Sequence, residues 1–561
     1  MERSTKKHNA IAEEVPSDSN YIRNEKNIMV VPTVVDDTDK LIRSITWLDA
    51  FWVASGVPAL VLFSIGAIAA TVGNPSWFVW TLSISIGFLQ SFIYAEIAGL
   101  FPNKSGGASV YGAIGWIRYG KVLAPISVWC NWFGWSPVLT IGTGLSAGYI
   151  LSMFDSNALI NTWELRIVHL NFIQKDLSIR INSTFIIGAI LMLVVFAIQH
   201  RGILSAARVQ MLFAISSLLP LIILGIVPLF LGKVHAKNFI PFTPLMRNTT
   251  NNITTGSWDK AGITSFAGGM FIAAWSAYAF ETAVCYTSEF KNPGSDTFKA
   301  ILSSGLLCLF VFSLIPFTFQ GTLGLKRMLD PGIYNGMGVA KAMAEMIGGG
   351  KVLVNIVIVL LLLSLLLSTM TAMAGSSRTL YQGSIDGWLP KFLSHVNQHG
   401  APTAAMWTDL IFNLALLLMS DYVFVLAASN IGYIIFIFMN LNAVWIHRMD
   451  RPHWKRPFKA PIWLTFISVI LSYVNLVFLG MGSDIWGTGA LVTGLAFAVF
   501  IIPVFLIRHY IQDKGYFPVS TMDNTDADDE KSVTNRAGIL PYLALVMGVV
   551  VVIVSRLFAK Y

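Results

Sequence analysis

The sequence predicts an all-α, polytopic membrane protein with twelve core membrane-spanning helices and a possible thirteenth. Three observations carry this. Only 12% of the 561 residues are charged and 55% are hydrophobic, whereas soluble globular chains carry about 25% charged residues. Apolar runs recur along nearly the whole chain, each about 20 residues long, enough to cross a ~30 Å hydrocarbon core as a helix. Lipid offers backbone groups no hydrogen-bond partner, so helices are the expected form.

In order, the spans fall near 46–71, 78–101, 122–153, 183–200, 206–231, 261–288, 298–324, 351–381, 402–419, 422–446, 462–481 and 487–508. A thirteenth run, 540–558, follows the acidic stretch MDNTDADDEKSVTNRAG. The organisation read from this is a tail over 1–43, a membrane core over 44–510, an acidic linker over 511–539 and an extra helix over 540–561. The tail is polar, mixed in charge and without an apolar core, so it reads as disordered and not as a cleaved signal peptide.

Lys104, Arg118 and Lys121 follow span 2, Arg201 and Arg208 flank the turn after span 4, and RPHWKRPFKAP follows span 10. Together with Arg43 these mark the cytoplasmic side. The longer loops 154–182 and 232–260 then lie outside, with the sequons at Asn182, Asn248 and Asn252. A thirteenth span would put Tyr561 outside as well. The net charge of +8 is scattered over these loops and is not a nucleic-acid footprint. Cys130, Cys285 and Cys308 fall within spans at no metal-ligand spacing. His395 and His399 lie four apart in a loop with no third ligand. No metal and no cofactor is expected; the partners are the lipid bilayer and a small solute.

Two spans look interrupted. Span 1 contains VASGVPALVLFSIG, where Pro58 lacks an N–H and Gly56 eases departure from the helix. Span 6 contains SFAGGMFIAAWSAYAFE, with Gly268, Gly269 and small residues around Ser276. Interrupted helices at matching places in two halves point to a binding site between inverted repeats. The plainer alternative is that Gly and Pro are frequent in membrane helices.

Four stretches in register resemble signatures of the amino acid–polyamine–organocation transporters. They are AEIAGLFPNKSGGASVYGAIG, FETAVCYTSEFKNPGSDTFKAI, AGSSRTLYQGSIDGWLPKFLSHVNQHGAPTAA and RPHWKRPFKAP, and the likeness covers about residues 44–510. The resemblance implies the leucine-transporter fold, two inverted five-helix repeats plus two helices. It also implies alternating-access movement of amino acids, polyamines or related amines across a plasma membrane.

Broken helices leave backbone groups that a zwitterion can satisfy. The candidate binding residues are Ala54, Ser55, Gly56, Val57 and Pro58 on span 1, and Trp275, Ser276, Ala277, Tyr278 and Ala279 on span 6. By resemblance, Trp275 and Tyr278 are walls or gates. Asn131, Trp135 and Val138 share a face of span 3, which by resemblance borders the pocket; Thr371 lines the opposite wall on span 8. A mid-span carboxylate costs at least ~2.5–3.5 kcal/mol, so Glu281 is expected to face the bundle, paired or protonated. It reads as a gating or a structural residue. Glu96 reads as an inner-gate or capping residue, Glu289 as a partner of Lys291, Arg378 as paired with an acid, and Asp409 as a further acid near a span.

Proton-coupled members of the resembling family often carry a lysine in span 5. Here the best register places Ser217 at that point, and no basic residue occurs between Arg208 and Lys233. Exchange or facilitation is therefore favoured. Sodium symport stays open through the hydroxyls of Ser368, Thr369 and Thr371. A channel would need rings of charge or carbonyls, and an enzyme a nucleophile, metal or cofactor motif; neither pattern is present. A sensor that binds without transport is the remaining rival.

Overall fold

The computed structural model describes residues 22–23, 29–31, 41–155, 157–247, 253–419, 421–518 and 536–560. Helices occupy each place where an apolar run predicts one. Spans 2, 4, 7, 8, 9, 10, 11, 12 and 13 are Ser76–Gly99, Ser183–Gln199, Pro293–Met328, Lys351–Ile385, Thr403–Leu417, Tyr422–Asp450, Ile462–Gly482, Thr488–Leu506 and Leu540–Phe558. Among the described residues, nine helical stretches are long and apolar enough to cross a membrane, and three shorter ones are apolar. Their outer faces carry exposed Ile186, Ile190, Leu212, Ile223, Phe466, Val499 and Val546, as expected of surfaces turned to lipid. The chain is a multi-pass membrane protein.

Two long spans are less regular than the hydropathy suggests. Span 3 is split into Leu123–Trp135 and Val138–Leu151, because Pro137 can neither donate to the ladder nor fit against the preceding turn. Span 5 is Ile203–Phe213 and Leu219–Phe230, joined by a π-helical turn over Ala214–Leu218. Such turns recur at functional positions.

Outside the all-α bundle the loops carry short strands. The loop 154–182 folds into a hairpin of Glu164–His169 and Ser178–Asn182, and a second hairpin pairs Leu245–Arg247 with Ile253–Thr255. Ile22–Arg23, Met29–Val31 and Phe517–Pro518 form a third small sheet. The rest of the tail before residue 41, Asn248, Asn252 and most of the acidic linker lie outside the described residues.

The loops collect at two ends of the bundle. At one, the backbone of Ser44 and Ile45 donates to Glu289 O (3.0 and 3.2 Å), and Asn397 donates to His200 O (2.8 Å). At the other, Arg180 N donates to Leu418 O (2.9 Å) and Asn74 to Pro241 O (2.8 Å). The basic loops named above share the first end. Span 13 runs parallel to span 11. It starts where Ala537 N donates to Asp450 (3.0 Å) and finishes where Arg556 meets Asp484 (3.2 Å). Gly480 lets the two helices close up, since a Cβ there would stand 2.0 Å from Ser555 Oγ. Close packing at small residues is a main source of helix association in lipid.

Candidate functional site

Span 1 begins at Thr46, whose N–H and hydroxyl both donate to Asp49 at 2.8 Å and so satisfy the first turn. The α-helix Trp47–Ala54 then stops. Ser55 and Gly56 form a turn, Val57–Leu60 is a 3₁₀ turn carrying Pro58, and α-helix resumes over Val61–Val72. Span 6 repeats the device: Lys260–Ala273 is α-helix, Ala274–Ala277 is 3₁₀, and Tyr278–Val284 is α-helix again. Both interruptions fall where the sequence places them. The backbone is tightened there and not extended, with Ser55, Gly56 and Leu60 keeping right-handed φ and ψ.

Polar side chains from neighbouring spans take up the backbone at the break. Thr371 Oγ1 donates to Val53 O at 2.5 Å, and Ser368 Oγ donates to Gly56 O. Gln210, fully buried on span 5, donates to Val53 O (3.4 Å) and to Thr371 Oγ1 (3.2 Å). Gly56 is needed for closeness: a Cβ there would sit 2.4 Å from Thr371 Oγ1 and 2.7 Å from Leu367 O. On span 6, Asn430 donates to Phe271 O, and Ser276 and Ser83 share a hydroxyl contact at 3.4 Å. The side chains of Ala277, Tyr278 and Ala279 lie outside the described set.

Above the breaks is a cavity of about 360 Å³, within the range of small-molecule sites, about 300–1,000 Å³. Leu60, Phe63, Ser64 and Ala67 line it from span 1, Val138, Ile141 and Leu145 from span 3, and Ile272 and Trp275 from span 6. Tyr422, Val423, Leu426 and Trp486 complete an apolar wall, and Lys175, Asp176, Arg180 and Asp421 supply its charged groups. Trp275 packs edge-on against Trp80 and Phe312, with centroids at 5.9 and 5.6 Å.

Of the residues predicted on the pocket faces, Trp275 and Val138 line this cavity among the described side chains. Ala54 to Pro58, Asn131, Trp135, Ser276 and Thr371 are buried outside its lining. The sequence reading missed Leu60, Phe63 and Ala67, which recur at helical spacing after Pro58, and Ile141 and Leu145, which follow Val138 at three and seven residues.

Away from the cavity the bundle is sealed by charge. Glu281 is fully buried, faces inward as predicted, and accepts from Tyr433 (2.8 Å) and Asn131 (3.3 Å). Asn131 in turn accepts from Thr379 at 3.2 Å. Below it, Arg378 grips Glu289, with Nη2 at 3.0 Å from Oε2, and lies over the Tyr286 ring at 5.3 Å. Arg378 thus has its acidic partner, but Glu289 pairs with Arg378 across the bundle and not with Lys291: its carboxylate is buried and turned away from the loop. Lys104 meets Asp386 at 2.5 Å. Glu96 accepts from Arg448 (2.8 Å) and Ala460 N (2.8 Å), with Arg456 at 3.3 Å. Gly107, at φ +81°, lies against Cys285; a Cβ there would be 2.9 Å from Sγ.

Ser217 sits on the π turn, donating to Phe213 O (2.6 Å) and accepting from Ser364 (3.1 Å). Thr369 donates within its own helix, to Leu365 O at 2.9 Å. The span 5 side chain that reaches span 1 is Gln210, two turns earlier, which the register argument did not find. Asp409 is held by Trp132 (2.9 Å), Ser136 and Ser376 (both 2.5 Å), tying spans 3, 8 and 9 together. Among the described residues, no group of three or more His, Cys, Asp or Glu is placed to hold a metal ion.

Interrupted spans beneath a cavity, with one end of the bundle sealed, belong to the class of membrane carriers. The model of the family described as "Amino acid permease" matches residues 45–507, and the chain belongs to that family, within the amino acid–polyamine–organocation superfamily. Its general function is secondary transport. The chain is 24% identical over 465 residues to the branched-chain amino acid permease BcaP of Lactococcus lactis, covering 80% of this chain and 91% of that one. It is 23% identical over 425 residues to BcaP of Bacillus subtilis, covering 72% and 82%. The arginine/ornithine antiporter ArcD2 of L. lactis matches at 23% over 382 residues, covering 65% and 69%.

Proposed function

We propose that this protein exchanges neutral amino acids with apolar side chains across a plasma membrane by alternating access, on the leucine-transporter plan of five plus five helices and two more. The cavity carries the reading of substrate class. Its walls from spans 1, 3 and 6 are Leu60, Phe63, Ala67, Val138, Ile141, Leu145, Ile272 and Trp275, apolar but for Ser64, and the two acids of the lining, Asp176 and Asp421, are matched in number by the cations Lys175 and Arg180. The names of the BcaP relatives accord with an apolar substrate, whereas that of ArcD2 names cationic ones. The sealed end is cytoplasmic, and Glu281 with its Tyr433 and Asn131 partners links the substrate layer to that gate.

Exchange is favoured over cation coupling by Gln210. Its neutral amide occupies the junction of spans 1, 5 and 8, where a coupling cation would find the oxygens of Val53 and Thr371. Sodium symport is the second reading, supported by that same cluster of oxygens.

Counterflow in proteoliposomes tests this. Labelled leucine, isoleucine or valine should enter vesicles preloaded with unlabelled substrate and not empty ones, without response to sodium or a pH gradient. Sodium-driven uptake into empty vesicles would establish symport, and a preference for arginine would overturn the substrate class. Binding without flux would make the protein a sensor.

A further inference from the structure

The hairpin after span 3 is amphipathic, and its apolar side is uncovered. Register places Glu164 opposite Asn182, Arg166 opposite Arg180 and His169 opposite Ser178, all on one face. Leu165 opposite Ile181 and Val168 opposite Ile179 make the other face, with Ile167 extra at the bulge. The charges of the polar face are paired among themselves, with one cation in excess: Glu164 pairs with Arg166, and with Arg180 at 3.2 Å. The apolar face starts at half-buried Ile179 and Ile181 and ends at Leu165, Ile167 and Val168, which are 54%, 55% and 47% exposed. Leu159 (77%), Trp163 (41%) and Phe172 (82%) extend it.

We propose that this segment is seated in the lipid–water interface and anchors the rim of the cavity there. Its height is set by the helix that follows. Span 4 has 17 residues, about 25 Å at 1.5 Å per residue, against a hydrocarbon core of ~30 Å. So short a span reaches across only if its first residue lies at the hydrocarbon boundary. Asn182, the last residue of the hairpin, caps that helix by accepting from Phe185 N at 2.9 Å. The strand is therefore level with the headgroups, and its apolar face joins the lipid-facing side chains Ile186 and Ile190. Trp and bulky apolar residues above a charged, self-paired face suit that layer. The turn is fixed to the protein: Leu170 and Leu177 are buried, and Ile173 O stands 1.9 Å from where a Gly489 Cβ would be. Lys175, Asp176 and Arg180 at the cavity mouth are thus held between the bundle and the lipid surface.

Nitroxide labels on single cysteines at Leu165, Val168 or Arg166 test this in nanodiscs of zwitterionic lipid; the native Cys130, Cys285 and Cys308 are buried. Labels at Leu165 and Val168 should collide with oxygen several-fold more than with a water-soluble nickel complex, and the label at Arg166 should show the reverse. Water-like values at all three positions would overturn the proposal. So would labels shielded from both reagents with dipolar broadening, which would assign the face to a second copy. Neither readout depends on transport, so failure here leaves the proposed substrate and exchange untouched.

Discussion

At the sealed end, Glu289–Arg378, Lys104–Asp386 and Glu96–Arg448 are largely removed from solvent, and the backbone N–H groups of residues 44 and 45 bond to Glu289 O. At the other end, Lys175, Asp176, Arg180 and Asp421 are exposed or half-buried around an apolar cavity. Apolar surfaces part and rejoin without directional demands, whereas a buried ion pair resists separation until water reaches both partners. In the alternating-access mechanism proposed above, the sealed end acts as a latch and the cavity end as an adaptable mouth. Alternating access requires that asymmetry to reverse.

The largest effect should come from breaking the latch. Arg378→Ala leaves Glu289 buried without its partner, a loss of about 3–5 kcal/mol. Cys285, packed beside Gly107 and Gly375 at this end, should then react with maleimide many-fold faster. Glu289→Gln in the same chain should restore part of the protection. Unchanged reactivity in Arg378→Ala would mean the pair does not hold the end shut.

That latch shows where sequence reading reached and where it stopped. Each span was legible because lipid imposes length and hydropathy, and the interruption of span 1 because Gly56 and Pro58 are poor helix residues; in span 6, Gly268 and Gly269 stay in the α-helix and pack against Ile485 and Val72, and the break follows at Ala274–Ala277. The inward aim of Glu281 followed from the cost of a carboxylate in lipid. The partner of Glu289 was not legible, since Arg378 lies 89 residues away while Lys291 stands next door. Nor were Phe63 and Ile141, because an apolar residue lining a cavity looks like one in a packed core. Gln210 was hidden because nothing in a lone glutamine marks the break it reaches. The strands in 154–182 were written plainly in the alternation of Arg180, Ile181 and Asn182, but loop length masked them.

Next in size is Gly56→Leu, which drives a side chain into Thr371 and Leu367 at the shared base of both halves. Overpacking should cost about 1–3 kcal/mol, seen as a lower melting temperature in detergent, with exchange abolished. Normal exchange would show that spans 1 and 8 need not stay in contact. In the cavity, Ile141→Ala should weaken leucine binding about tenfold, the scale of one or two lost methylene contacts, and leave alanine binding nearly unchanged. Equal loss for both would remove Ile141 from the specificity wall. The smallest effect should be that of Arg556→Ala. Its pair with Asp484 is half exposed, with 41% of the arginine side chain accessible, and such pairs contribute about 0.2–1 kcal/mol. A marked fall in melting temperature would show that span 13 is clamped at the cavity end more than its packing implies.

The reversal of the two ends can be measured directly by thiol accessibility, with Phe63→Cys reporting on the cavity and native Cys285 on the latch. Without substrate, the thiol at position 63 should label and Cys285 should not. Adding leucine to both sides should slow labelling at 63 and raise it at Cys285 together, as the molecule divides its time between two states. If the two thiols respond in the same direction, or Cys285 stays silent while exchange proceeds, the alternating-access account is contradicted.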